Sequence, residues 1–191
     1  MENNFNKQVE ELFINANEII NTATMVKANK NSEKFEIDIQ KDYKSKFFKL
    51  IDKVNLSLME DNDNFYGYFL FQMSRDIRFD ISSPTAVNFK DAKYVIYFNP
   101  LIFLQLNRRQ METSIKHEIL HIISQHLLRA KDLNSRYSTL AINMAMDIVV
   151  NKYLDNLPPY ATTLEWVNVN YSLKLEPYET FEYYVDKIQT E

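Results

Sequence analysis

Cysteine is absent from this chain, which excludes disulfides, thiolate metal sites and a cysteine nucleophile. Any metal must be held by His, Asp or Glu. Glycine is almost absent as well: the single one is Gly67, where an average composition of about 7% would supply roughly a dozen. Gly-rich phosphate loops and dinucleotide fingerprints therefore cannot form, and turns are expected to rely on Asn and Asp, which accept left-handed backbone at modest cost. Long hydrophobic runs are also missing. The longest, residues 68–71 and 94–98, fall far short of the ~20 residues a membrane helix needs, and the N-terminus lacks a charged-then-apolar leader pattern. The expectation is a soluble, cytoplasmic protein with no membrane contact. Excess positive charge is lacking too: 22 Lys and Arg against 26 Asp and Glu give a net charge of -4, which disfavours an electrostatic grip on nucleic acid.

What is present suits a folding chain. Hydrophobic residues make up 46% and charged residues 25% of the 191 positions, enough for one compact domain of ordinary size. Val9, Leu12, Phe13, Ala16, Ile19, Ile20 and Ala23 recur at helical spacing, and Asn and Lys dominate residues 29–34. Residues 1–34 thus read as an N-terminal helix and polar linker, and residues 35–191 as the main domain. Helical patterns follow over 43–59 and 65–73, broken by the acidic and Asn-rich stretch 60–64. The period then changes to two, predicting strands at 76–81, 85–89 and 93–98 with Asp91-Ala92 as a tight turn. A long helix is expected over 108–129, an apolar one over 139–154, an extended stretch around Trp166, Val167 and Val169, and a last helix over 179–188. This order is α+β: helices packed on a small sheet of about three strands.

Two of the three histidines stand at His117 and His121 in a His-Glu-x-x-His arrangement inside the long predicted helix. Positions i and i+4 lie ~40° apart on a helix, so both imidazoles reach one ion on the same face while Glu118 flanks it. This is the zinc-peptidase pattern, in which the metal activates water and polarises a carbonyl while the Glu serves as general base. The same short pattern also arises as a solvent-facing pair of histidines.

A third ligand is needed. His126 follows His117 by nine residues, which on a continuous helix places it about 180° away, so it reads as a supporting or core-edge residue. The metzincin route to a third His needs a Gly that turns the chain, and none follows residue 67. The better candidate is Asp147, which with Asn143 and Asn151 forms a polar stripe at spacing four on an otherwise apolar helix. A buried carboxylate there needs a cation; otherwise the stripe meets solvent. Asn143 and Asn151 are candidates for orienting ligands or holding a substrate backbone.

From about residue 65 to 157 the sequence resembles the zincin-like metallopeptidase domain of bacterial VWA-like proteins, often linked genetically with MoxR-type AAA+ ATPases. The matching pieces are Phe65-Tyr66-Gly67, Pro84-Thr85-Ala86, Asn99-Pro100, the motif at 117–121 with His126 and Arg129 behind it, and residues 143–151. The resemblance implies a zincin-like fold with the ligands falling on His117, His121 and Asp147, one zinc ion, and Glu118 as catalytic residue. One departure is Gln125, where the family tends to have Gly before the third His. The family usually continues into a von Willebrand A-like domain, which the residues up to Glu191 do not contain. A VWA-like domain and a MoxR-type ATPase are thus the expected partners besides a peptide or protein substrate.

The leading expectation is a zinc-dependent peptidase-like hydrolase, with the strand at 93–98 as an edge that pairs with an extended substrate. The other is a non-catalytic, metal-stabilised module that binds a partner through its first two helices. Tyr137, Tyr160 and Arg129 are candidates for stabilising an oxyanion.

Overall fold

The computed structural model describes residues 2–30, 37–61 and 64–190. Helices α1 (Glu2–Lys30), α2 (Lys41–Glu60) and α3 (Asn64–Phe71) come first, then strands β1 (Ser74–Ile77), β2 (Thr85–Lys90) and β3 (Lys93–Phe98). Helices α4 (Pro100–Phe103), α5 (Arg108–Ile123), α6 (His126–Leu133), α7 (Thr139–Asn151), α8 (Leu164–Asn170) and α9 (Phe181–Gln189) complete the order. The architecture is α+β, helices on a three-stranded mixed sheet. The polar linker read at 29–34 lies, beyond residue 30, outside the described residues, as do positions 62 and 63 of the acidic break. No helix among the described residues is long and apolar enough to cross a membrane.

Two hydrophobic clusters form. The larger unites α1 to α5 with the sheet; Phe47, Phe98 and Phe103 are fully buried in it with ring centroids 5.1 to 6.2 Å apart. The smaller unites α6 to α9 around Ile142, Ala145, Ile148, Val167, Phe181 and Tyr184. Helix α5 buries Met111, Ile115 and Ile119 in the larger cluster and touches α6 and α7 on its other side, so it runs along the seam between the two. Its start is fixed by a capping box. The Asn107 side chain accepts from Gln110 N at 2.9 Å and Gln110 Oε1 accepts from Asn107 N at 3.0 Å, an arrangement worth ~1 kcal/mol. Ser138, Thr163 and Thr180 cap α7, α8 and α9 in the simpler way.

Glycine is spent on close approach rather than on a turn. A Cβ on Gly67 would stand 2.4 Å from Met59 Cγ, where α3 crosses α2, and Asn55 Nδ2 donates to Gly67 O at 3.1 Å. The left-handed positions fall instead on Asp91, Ala92, Gln125, Asn156, Ser172 and Tyr178. Only two of these are the Asn or Asp that composition led us to expect.

Three expectations are corrected. The sheet order is β1-β3-β2, with β3 parallel to β1 and antiparallel to β2, so residues 93–98 form the central strand and cannot accept a substrate strand. The long helix 108–129 is two helices, because Gln125 turns left-handed at φ 55° between α5 and α6. The stretch around Trp166 is helical, with the Thr163 hydroxyl accepting from Trp166 N, and is not extended.

The left-handed residues yield a stability prediction. Left-handed backbone costs a residue bearing a Cβ roughly 1–2 kcal/mol, part of which glycine forfeits through its looser unfolded chain. Ala92→Gly in the Asp91-Ala92 hairpin turn, where φ is 52° and 60°, should therefore raise stability by about 0.5–1 kcal/mol. Gln125→Gly should do the same and Gln125→Val the reverse, all read as midpoint shifts in denaturant unfolding.

Candidate metal centre

The seam between the clusters is where α5 and α7 present their polar residues to each other. His117 and His121 lie one turn apart on α5, and Asp147 on α7 faces them. His121 Nε2 is 2.8 Å from His117 Nε2, and Asp147 Oδ1 stands 3.4 Å from His117 Nε2 and 3.2 Å from His121 Nε2. One ligand atom from each residue lies within 4.8 Å of the others, so the three could hold a metal ion. The two spacings to Asp147 suit that use, since ligands at ~2.0–2.1 Å from a tetrahedral zinc stand about 3.3–3.4 Å apart, and the imidazole pair, closer at 2.8 Å, would open by about half an ångström to take the ion. Imidazole nitrogen and carboxylate oxygen are also the donors this metal takes.

Both imidazoles are held from behind. His117 Nδ1 is 2.7 Å from Asn151 Oδ1, and Asn151 Nδ2 donates in turn to Thr162 O at 2.8 Å, which fixes the amide orientation. His117 therefore donates from Nδ1 and leaves Nε2 free for a ligand. His121 Nδ1 meets His126 Nδ1 at 2.8 Å. His126 does not face away from the pair: the left-handed Gln125 ends α5 and swings the first residue of α6 back beneath His121. Its other nitrogen, Nε2, is buried without a partner, and its ring lies 5.3 Å from Phe181. Asn143, the third polar residue of the α7 stripe, is exposed and is not among the residues lining the cleft.

Electrostatics follow from this packing. Burial opposes charge on His117, but Asp147, Glu118 and Asn151 outweigh it and hold its pKa up at about 9. Burial likewise opposes the Asp147 carboxylate, yet hydrogen bonds and charge from His117 and His121 keep it well below the usual carboxylate range. Burial first, then the charges of His121 and Arg129, push His126 down to about 3, so it is a neutral partner. His117 and Asp147 thus favour each other's charged forms and attract as an ion pair.

Glu118 follows His117 on α5 and reaches a different partner. It lines a cleft of about 240 Å³ together with His117 and Asp147, walled by residues 82–85 on one side and by Leu157, Pro158, Tyr160 and Thr162 on the other. Glu118 Oε1 accepts from Thr85 Oγ1 at 2.9 Å, and Thr85 Oγ1 lies 2.8 Å from Ser114 Oγ. Nothing in the local sequence pattern marks Ser114, and Thr85 stands out only within Pro84-Thr85-Ala86 among the resembling pieces. Of the oxyanion candidates Tyr160 alone lines the cleft. Arg129 is taken by Glu182 at 2.7 and 2.8 Å and lies over Phe181, and Tyr137 Oη pairs with Asp186.

A pH prediction follows for the metal-free chain. With Asp147 depressed and His117 raised, their pairing stabilises the fold fully between about pH 4 and 6.5 and is lost as pH climbs through about 9. An NMR titration of His117 should show a midpoint near 9, and Asp147→Asn should lower it by about a unit or more. Zinc affinity should rise with pH over the same interval, because the imidazole must shed its proton to bind.

Searches of curated proteins and of solved structures find no match to this chain. One family model matches residues 56–180, from the last turns of α2 to the residue capping α9. The match covers well over half the chain and includes His117, Glu118, His121, Asp147 and every residue of the cleft, while α1 and most of α2 lie outside it. By this match the chain belongs to the family described as "Putative metallopeptidase domain".

Proposed function

We propose that this chain is a zinc-dependent, zincin-like peptidase hydrolase acting in the cytoplasm. The observation that carries the reading is the convergence of His117, His121 and Asp147 at the head of a cleft that Glu118 also lines. Zinc, when bound by those three residues, supplies the Lewis acidity that acidifies water and polarises a peptide carbonyl. Everything else falls to the chain. Asn151 and His126 hold the two imidazoles in orientation, and the Glu118 carboxylate takes a proton from water and returns it to the leaving amine. Tyr160 offers its hydroxyl from the facing wall to the developing oxyanion.

With β3 central, the substrate edge moves to β2. The pattern of bonds fixes which of its groups point outward. Asn99 N donates to Pro84 O, Arg78 N takes Phe98 O on the β1 side, and Phe89 N turns to its neighbour's Asn88 Oδ1. Even-numbered residues of β2 therefore bond to β3, and Thr85, Val87 and Phe89 point N–H and C=O outward; Asn88 Oδ1 already takes the Phe89 N–H and Ser83 Oγ donates to the Thr85 C=O, so Val87 is the residue with both groups open to the free edge. The opposite edge, β1, is guarded by charge pairs to α2, Lys44 with Asp76 and Arg75 with Asp52. Pro84 and Thr85 line the cleft, so an extended peptide laid on β2 leads straight to the candidate centre.

A second reading is a non-catalytic, metal-stabilised module that engages a VWA-like domain or a MoxR-type ATPase. It rests on α1, a long helix outside the family match.

Two experiments separate the readings. Glu118→Gln should keep zinc and fold, and lose about 100-fold or more in peptide cleavage; Asp147→Ala should lose zinc and melt at lower temperature, because ligand binding to the folded state stabilises it. Wild type that binds zinc and cleaves nothing in a broad peptide library would decide for the module. In parallel, Val87→Pro should abolish peptide binding with zinc content unchanged, since it deletes an outward N–H on a free edge where proline is tolerated. Ala86→Pro, which removes a bond to β3, should instead destabilise the fold in thermal unfolding.

A further inference from the structure

We propose that Thr85 is a positioning residue for Glu118, coupling the free edge of the sheet to the base of the reaction; this rests on the peptidase reading above. Three side-chain oxygens form a chain along one face of α5. Ser114 and Glu118 are spaced by four on that helix, and Thr85, the first residue of β2, inserts its hydroxyl between them, all three being buried.

The direction of the chain follows from proton counting. An ionised carboxylate only accepts, and a threonine hydroxyl has one proton. Thr85 Oγ1 therefore donates to Glu118 Oε1, and Ser114 Oγ–H donates to Thr85 Oγ1. A carboxylate that lines a cleft with one oxygen tied and the other left to the cleft has a single useful orientation, whereas an untied one rotates about its last bond. Fixed orientation of a base is worth rate rather than affinity, because the gain appears when the proton moves.

The position of Thr85 in the chain gives the second half of the argument. Its side chain reaches α5, and its backbone opens the outward-facing series Thr85, Val87, Phe89. Ser83 Oγ already donates to Thr85 O at 2.7 Å, so the first carbonyl of that edge is held in place. A peptide pairing with β2 is thus registered against the same residue that aims the base, with no intervening loop to blur the distance.

The test uses the zinc-loaded full chain. Thr85→Val should lower kcat by about 10- to 100-fold, the scale of a lost hydrogen bond to a charged group, with KM within about twofold, unchanged zinc content and an intact fold; Thr85→Ser should restore kcat. A second readout does not depend on turnover. The antisymmetric carboxylate stretch of Glu118, isolated as the infrared difference between wild type and Glu118→Gln, should shift in Thr85→Val and return in Thr85→Ser. An unshifted band, or an unchanged kcat in Thr85→Val, overturns the proposal. A band that shifts in Thr85→Val, with wild type cleaving no peptide, supports the positioning of Glu118 and overturns the peptidase reading. Should Thr85→Val fail to fold, Ser114→Ala, which removes the donor behind Thr85, should shift the same band to a smaller extent, and no shift there overturns the proposal.

Discussion

The carboxylate of Asp147 between two imidazoles is the contact on which the rest of the site depends. Helix α7 is apolar on most of its surface, and a half-buried carboxylate there is unfavourable without a partner. The cost is met from α5, where His117 and His121 bring Nε2 atoms to 3.4 and 3.2 Å of Asp147 Oδ1. Because α5 belongs to the larger hydrophobic cluster and α7 to the smaller one, the same contact ties the two clusters together. A cation held by the three side chains would strengthen that tie, since each ligand atom would face the same positive charge.

The ring orientations needed for this are supplied at one remove. Asn151, one turn after Asp147, reaches back to His117, and the stripe spacing that made Asp147 a candidate made Asn151 one too. His126 was harder to place. Counting residues on an uninterrupted helix turns it away from His117, and the lack of glycine near position 125 gave no reason to break the helix. The break is nevertheless there, carried by Gln125 at φ 55°. The backbone strain of a residue with a side chain is tolerated because the turn buries His126 against His121 and Phe181 and starts α6 in the right direction. The resemblance leads to an expectation of Gly at position 125, and the left-handed backbone of Gln125 is the conformation that favours Gly. The departure changes the cost of the turn and leaves its shape.

The parts legible in the sequence are those set by local repetition. The i, i+4 histidines, the polar stripe on α7, the hairpin of β2 and β3 and the extents of α2 and α9 all follow from side-chain spacing within a few residues. What stayed hidden depends on contacts between distant segments. The parallel pairing of β1 with β3 puts the last strand in the middle of the sheet, and nothing in residues 93–98 distinguishes a central strand from an edge one. The role of Thr85 is hidden for the same reason: its partners Ser114 and Glu118 are about thirty positions away in sequence. Helix α8 differs from the extended stretch expected there because Val167 and Val169 suggest a strand, while the Thr163 cap and burial of Val167 in the smaller cluster select a helix.

The sheet order also explains why the cleft lies where it does. With β1 covered by charge pairs from α2, the one edge that runs toward the α5–α7 seam is β2, and its first residues are already part of the cleft wall. The facing wall, residues 157–162, follows α7 after the short turn of residues 152–156 and is tied back to it by Asn151, which donates to Thr162 O and also holds His117. Each wall is therefore anchored to the candidate centre by a side chain: Thr85 to Glu118 on one side, Asn151 to His117 on the other. The base and two of the ligands lie on α5, which packs in the larger cluster, and the third ligand lies on α7, which packs in the smaller one, so the geometry of the site depends on how closely those clusters are held together at Asp147.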